Sequence, residues 1–149
     1  MLIQLVIYDL TFLELSWNWL NDSEIKKLTN TPTFSREDQI NWYDTLEIKK
    51  DYLIWGVQEG ETKIGVCGLK KITKIDCEYW GYIGEKTYWG KGIGRIMMEM
   101  LEFRAREMQL QSIWLQVLDD NLRAIKLYEK LGYINEKQIG DLIFMRKLL

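Results

Sequence analysis

The segment Tyr88-Trp-Gly-Lys-Gly-Ile-Gly-Arg95 places glycine at 90, 92 and 94 and runs directly into Ile-Met-Met-Glu-Met-Leu101, which holds no helix breaker. The first N–H groups of a helix have no intrahelical partner, and the helix dipole adds about half a positive charge at that end. Glycines there let the oxygens of an anion approach without meeting a Cβ, while Lys91 and Arg95 can add charge. The chemistry indicated is the holding of a phosphate or diphosphate. A Walker loop is excluded, because no Gly-Lys-Ser/Thr follows at the required spacing, and the third glycine of the dinucleotide fingerprint is missing. The plainer alternative is a glycine-rich turn imposed by a tight strand-to-helix connection.

Histidine is absent from the 149 residues. That removes the commonest general base, the usual serine and cysteine triads and the imidazole ligands of most catalytic zinc sites, so no metal is expected. Any proton transfer must use carboxylates, tyrosine or water.

The glycines need a strand before them and a helix after them, and the hydrophobic patterning supplies both. Alternation at Ile3-Tyr8 reads as a first strand, and the tryptophan-rich stretch from Phe12 to Thr29 as one interrupted or two short helices broken at Asn21-Asp22. After the only proline, Pro32, Ser35 is an N-cap candidate with Asp38 as its capping-box partner, and Ile40, Tyr43 and Leu46 recur along one face. "YLIWGVQ" and "KIGVCGLKKI" read as a hairpin, and "CEYWGYIG" as the strand ahead of the glycines. A long helix, the strand "SIWLQV", a helix from about Asn121 to Leu131 and two last strands, around Tyr133-Gln138 and Leu142-Leu148, complete the chain. This order predicts one domain over residues 1–149, an α/β (α+β) mixed sheet with helices on its faces. A right-handed crossover from "EYWGYI" to "SIWLQV" sets the glycines at the C-terminal end of the first of those strands, where ligands of open sheets gather.

Composition narrows the partners. With 20 basic residues against 22 acidic ones and a net charge of −2, the chain lacks the basic surface of a dedicated nucleic-acid binder. Cys67 and Cys77 fall in strand-like stretches and read as two small buried residues, which fits a reducing cytosol. "MLIQLVIYDL" is too short to span a bilayer and has no signal-peptide layout, so no membrane association is expected.

"YWGKGIGRIMMEML" resembles the pyrophosphate-binding motif, Gln/Arg-x-x-Gly-x-Gly/Ala, of the GNAT superfamily of acetyl-CoA-dependent N-acetyltransferases, with Trp89 where the consensus has Gln or Arg. "DDNLRAIKLYEKLGY" is similar to the second signature of that family, and the two lie in the right order with one strand between them. The resemblance implies a mostly antiparallel central sheet flanked by helices, with a splayed strand pair, and acetyl-CoA as cosubstrate. It implies that amides of Gly90, Lys91, Gly92, Ile93, Gly94 and Arg95 hold the pyrophosphate, and that Tyr82, Ile83, Gly84 and Glu85 border the pantetheine arm. A bulge that frees N–H groups would be tolerated at Gly84. Asn121 matches the asparagine that contacts pantetheine, and it also suits a helix N-cap.

Tyr128 falls at the position of the general acid that reprotonates the thiolate of CoA. A phenol of pKa about 10 can protonate a thiolate of pKa about 8.5, although a core aromatic beside Leu127 and Leu131 is the plainer reading. Glu78 is the candidate for the base that takes the acceptor's proton, with Asp76, Glu85 or water as rivals. Trp17, Trp19, Trp42 and Tyr43 crowd the segment that covers the acceptor in this family; aromatics at helical spacing usually form core, yet they would also suit a nucleotide base or amino-sugar. The acceptor indicated is an amine on a nucleotide-linked sugar, from similarity to the acetyltransferases of UDP-linked 4-amino-4,6-dideoxy sugars, with Lys70, Lys71 and Lys74 as candidates for its diphosphate. Protein N-termini and polyamines are the alternatives, and a CoA-binding regulatory module is the non-enzyme one. A cytoplasmic protein is expected, with a homodimer among the assemblies open to it.

Overall fold

The computed structural model describes all 149 residues. The elements run β1 (Ile3–Ile7), α1 (Leu10–Asn21), α2 (Ser23–Leu28), α3 (Arg36–Thr45), β2 (Leu53–Glu59), β3 (Thr62–Lys70) and β4 (Asp76–Ile83), then α4 (Ile93–Glu107), β5 (Ser112–Leu118), α5 (Leu122–Lys130), β6 (Ile134–Ile139) and β7 (Leu142–Leu148). Seven strands form one mixed sheet in the order β1-β2-β3-β4-β5-β7-β6. Every neighbouring pair is antiparallel except β4 and β5. No helix is long and apolar enough to cross a membrane.

Local chemistry sets most boundaries. The Asp9 carboxylate accepts from the Thr11 and Phe12 amides and starts α1. Asp22 separates α1 from α2: its N–H closes the first helix on the Trp19 carbonyl while its side chain accepts from Glu24 and Ile25. Ser35 and Asp38 form the full capping box of α3. The inward face of α3 differs from the apolar periodicity, however. Ile40 is exposed, while Gln39 is buried and donates to the Leu13 carbonyl at 2.8 Å. Gln39 thus joins Tyr43 and Leu46, which pack against the N-terminal core, on the inner side of α3, and Ile40 does not.

The core has two parts. A 19-residue cluster, including Ile93, Met97, Met98 and Leu101 of α4 and Ile113 and Leu115 of β5, lies on the face covered by α4 and α5. A six-residue cluster of Tyr8, Phe12, Leu13, Trp19, Ile25 and Val66 lies on the face covered by the N-terminal helices. Cys67 and Cys77 are buried free thiols; burial pushes the Cys77 thiol up to about 12 and also raises Cys67.

The parallel pair positions the site. β4 and β5 are in register only from Asp76 to Glu78 against Ser112 to Trp114. Beyond that point β4 runs on to Ile83 and β5 to Leu118 without pairing to each other, while β3 stays paired to the outer edge of β4 as far as Ile83 and β7 to β5 as far as Leu118. The two strands diverge like the arms of a V.

Candidate functional site

A cavity of about 380 Å³ fills the V. Both strands contribute its walls, Glu78 to Tyr82 from β4 and Leu115 to Leu118 from β5, and α5 adds Asn121 and Tyr128. Leu20, Leu28, the connection from Thr29 to Pro32, Tyr52 and Lys70 close it from the N-terminal side.

Alternation along β4 decides which backbone groups are free. Gly84 donates to the Ile64 carbonyl at 2.7 Å, across the Gly65–Ile83 pair. The amides of Trp80 and Tyr82 therefore also turn toward β3, while those of Gly81 and Ile83 face the open V. The expectation of a freeing bulge at Gly84 is corrected on this point. Its N–H is already used, and its missing side chain serves packing: a Cβ there would stand 2.1 Å from Cδ2 of Trp19. Glu85 also lies outside the cavity, where its Oε1 accepts from the Trp19 indole at 3.1 Å.

Gly90 and Gly92 adopt φ of +76° and +79°, left-handed values that glycine accepts without strain. Gly92 is the N-cap of α4, and a Cβ built on it would meet nothing within 4 Å. None of the N–H groups from Gly90 to Arg95 donates to an acceptor within the protein; the first bond of this turn is Ile96 N–H to the Gly92 carbonyl at 3.3 Å. Six unpaired donors stand at the positive end of a 15-residue helix, the arrangement that an anion cradle requires. Trp89, the departure from the consensus, donates its indole N–H to the Ile83 carbonyl at 2.9 Å and so ties the cradle to the end of β4.

The charges around the cradle differ from the sequence reading. Arg95 turns along its helix to Glu99 at 2.8 Å, and Lys91 lies over the Tyr88 ring. The guanidinium beside the loop is Arg123 of α5, one nitrogen of which would lie 3.0 Å from a Cβ on Gly90. Sequence reasoning passed over Arg123, although it is two residues from Asn121 in the second motif.

Asn121 caps α5, with Oδ1 accepting from the Ala124 amide, and it also lines the cavity, so the cap and a ligand contact through its amide NH₂ are compatible. Tyr128 lines the same cavity, and burial pushes its phenol up to about 12. Glu78 is the one carboxylate in the cavity wall. It is 3% exposed, accepts from Gln116 at 3.1 Å, and has Lys70 and Lys71 ammonium groups at 3.9 and 3.3 Å. Of its rivals, Asp76 is bound to Arg146 at 3.0 Å at the paired base of the V, and Glu85 is held by Trp19.

Of the two readings that the N-terminal aromatics allow, the structure bears out core packing and not a wall for the acceptor. Trp17, Trp19, Trp42 and Tyr43 do not line the cavity. Trp17 packs on Phe34, Trp19 over Gly84, and Trp42 and Tyr43 against Tyr8. Tyr52 and Trp80, from the sheet and the segment leading into it, line the cavity instead, with rings 5.9 Å apart. Lys70 lines the cavity and Lys71 reaches Glu78, whereas Lys74 is an exposed residue of the β3–β4 connection.

The profile of the acetyltransferase (GNAT) family matches residues 15–133. An uncharacterised protein of Methanocaldococcus jannaschii is 28% identical over 104 residues, 68% of this chain but 21% of that protein, so the match spans about a fifth of its length. Acetyltransferase PseH of Campylobacter jejuni is 26% identical over 119 residues, 79% of this chain and 74% of PseH. Among solved structures, a spermidine N-acetyltransferase from Vibrio cholerae, in complex with CoA and spermine, superposes with a TM-score of 0.86 at 22% identity, covering 98% of this chain and 95% of that one.

Proposed function

The chain belongs to the acetyltransferase (GNAT) family, enzymes that move an acetyl group from acetyl-CoA to an amine, and on that premise we propose that its acceptor is the amino group of a nucleotide-linked amino-sugar. The observation that carries the choice is the make-up of the cavity wall: one carboxylate, Glu78, with two lysine ammonium groups within 4 Å and the Tyr52 and Trp80 rings nearby. A polyamine carries several positive charges and favours clustered carboxylates. A sugar nucleotide brings one amine for Glu78, a diphosphate that lysines attract, and apolar sugar and base faces for aromatic rings.

Acetyl-CoA fits the remaining features. Its diphosphate suits the unpaired amides from Gly90 to Arg95 with Arg123 beside them, and its pantetheine amides suit the open groups of Gly81 and Ile83 and the Asn121 side chain. When bound, it supplies a thioester carbonyl for the amine to attack. Glu78 takes the proton that the amine loses, directly or through water, as the carbon–nitrogen bond forms and the carbon–sulfur bond breaks. Tyr128 gives its phenolic proton to the departing sulfur. That phenol is protonated at neutral pH with or without burial, as an acid must be before donation. Burial makes it a weaker acid, but the same desolvation raises a thiol in the same cavity, and the mismatch narrows.

Steady-state kinetics test the acceptor. Removing the nucleotide diphosphate to leave the free amino-sugar should raise KM, because remote binding energy is lost. Equal efficiency with the free sugar would contradict the assignment.

A further inference from the structure

Every residue of β6, Ile134-Asn-Glu-Lys-Gln-Ile139, is exposed, with Ile134 at 73% and Ile139 at 61%. The strand lies at one end of the sheet, so its outer side has no neighbour. An exposed edge that carries isoleucines is a template for a further strand.

The ladder fixes which backbone groups of that edge are free. Asp119 donates to the Asp141 carbonyl and Leu149 to the Gln111 carbonyl, each at 2.9 Å, in continuation of the β5–β7 pairing. The odd-numbered residues of β7 therefore turn to β5, and Leu142, Phe144 and Arg146 turn to β6. Opposite those three stand Ile139, Lys137 and Ile134, which bond inward. Asn135 and Gln138, opposite Met145 and Ile143, direct their N–H and C=O groups out of the sheet. Two residues three apart turn the same way only because a bulge at Glu136 adds a residue between them.

The bulge makes the strand complementary to itself. Residues that pair across a two-fold axis must turn the same way, which in a regular strand they do only at even separations. With the axis between Glu136 and Lys137, Asn135 meets Gln138 of a second copy, and each such pair exchanges its backbone hydrogen bonds. Ile134 then meets Ile139 of the copy, and Glu136 meets its Lys137. Glu136 bonds Arg146 and Lys137 lies over Phe144, so these charges and both isoleucines occupy one face of the sheet. A bulge and a lysine ordinarily guard an edge against pairing. Here the acid beside the lysine, and the same bulge in the copy, give each of them a counterpart. β1, at the other edge, has no charge to set a register.

We propose that β6 is the interface for a second copy of this chain, the two strands antiparallel and the two sheets joined into one. The contact is isologous and closes at a dimer. No residue of β6 lines the cavity, so the interface and the acceptor assignment stand independently.

The test is sedimentation equilibrium of the full chain, which should approach twice the 17.8 kDa of one chain as concentration rises. Gln138→Pro removes an outward N–H without touching the β6–β7 ladder and should leave a monomer with near-parental melting, whereas Gln138→Ala, which keeps that N–H, should remain dimeric. Lys137→Glu and Glu136→Lys each set like charges opposite one another and should each weaken self-association roughly 10-fold. Mixed together, these two variants regain opposite charges across the axis, and heterodimers should form; a folding defect would not be mended by mixing. A parent that is monomeric at every concentration, a Gln138→Pro variant as dimeric as the parent, a Gln138→Ala variant that dissociates like it, or a mixture no better associated than its components would overturn the proposal.

Discussion

The two sides of the V are built on different kinds of information. On the α4–α5 side the site is made of backbone: glycines with positive φ, six unpaired amides, a helix N-terminus and an asparagine cap. On the N-terminal side it is made of side chains brought together by the sheet, with Lys70 and Lys71 beside Glu78 and Tyr52 beside Trp80. The first kind suits a ligand common to a whole family, because main-chain geometry hardly changes with side-chain identity. The second kind can change with a few substitutions, as acceptor choice requires.

Tyr128→Phe should break the α4–α5 side most severely. Turnover should fall about 10²-fold or more while acetyl-CoA affinity, measured by calorimetry, stays nearly constant. An unchanged rate would make Tyr128 a packing residue and leave the proton to water. Gly92→Val, on the same side, should act the other way round. A β-branched residue at φ +79° is strained, and its Cβ enters the open centre of the cradle, so acetyl-CoA should bind roughly 10-fold more weakly. Retained affinity in a variant with parental melting behaviour would show that the anion lies elsewhere.

Alkaline unfolding probes both sides at once. Burial raises the phenols of Tyr8, on the N-terminal side, and Tyr128, on the other, to about 12 from an ordinary value of 10.0. A folded-state pKa above the unfolded one means that the native state holds the proton more tightly. The stabilisation is therefore complete below pH 10 and lost as pH rises toward about 12. Melting temperature should be flat at mildly alkaline pH and fall steeply above pH 10, without an earlier step from either side. The smallest effect expected is that of Trp89→Phe, which removes the bond to the Ile83 carbonyl and should weaken acetyl-CoA binding by about two- to fivefold.

The same division explains what could be read from the sequence. Gly90, Gly92, Asn121 and the Ser35–Asp38 box were legible because each acts on backbone within a few residues of itself. Gly84 was misread because its partner, Trp19, is 65 positions away, and nothing local marks a glycine as a seat for an indole. Gln39 replaced Ile40 on the inner face of α3 through a hydrogen bond to Leu13, which an apolar period does not register. Tyr52 and Trp80 do not stand out in the sequence because strand register, rather than abundance of aromatics, decides which rings reach the cavity.

The proposed reaction is acetylation of an amine on a nucleotide-linked sugar. Its most direct test is one reaction containing acetyl-CoA, a UDP-linked 4-amino-4,6-dideoxy sugar, an alanine-initiated peptide and spermidine at equal concentration, with products identified by mass spectrometry. The N-acetylated sugar nucleotide should dominate from the earliest time points. Acetylspermidine or acetylated peptide as the main product, with the sugar nucleotide untouched, would contradict it.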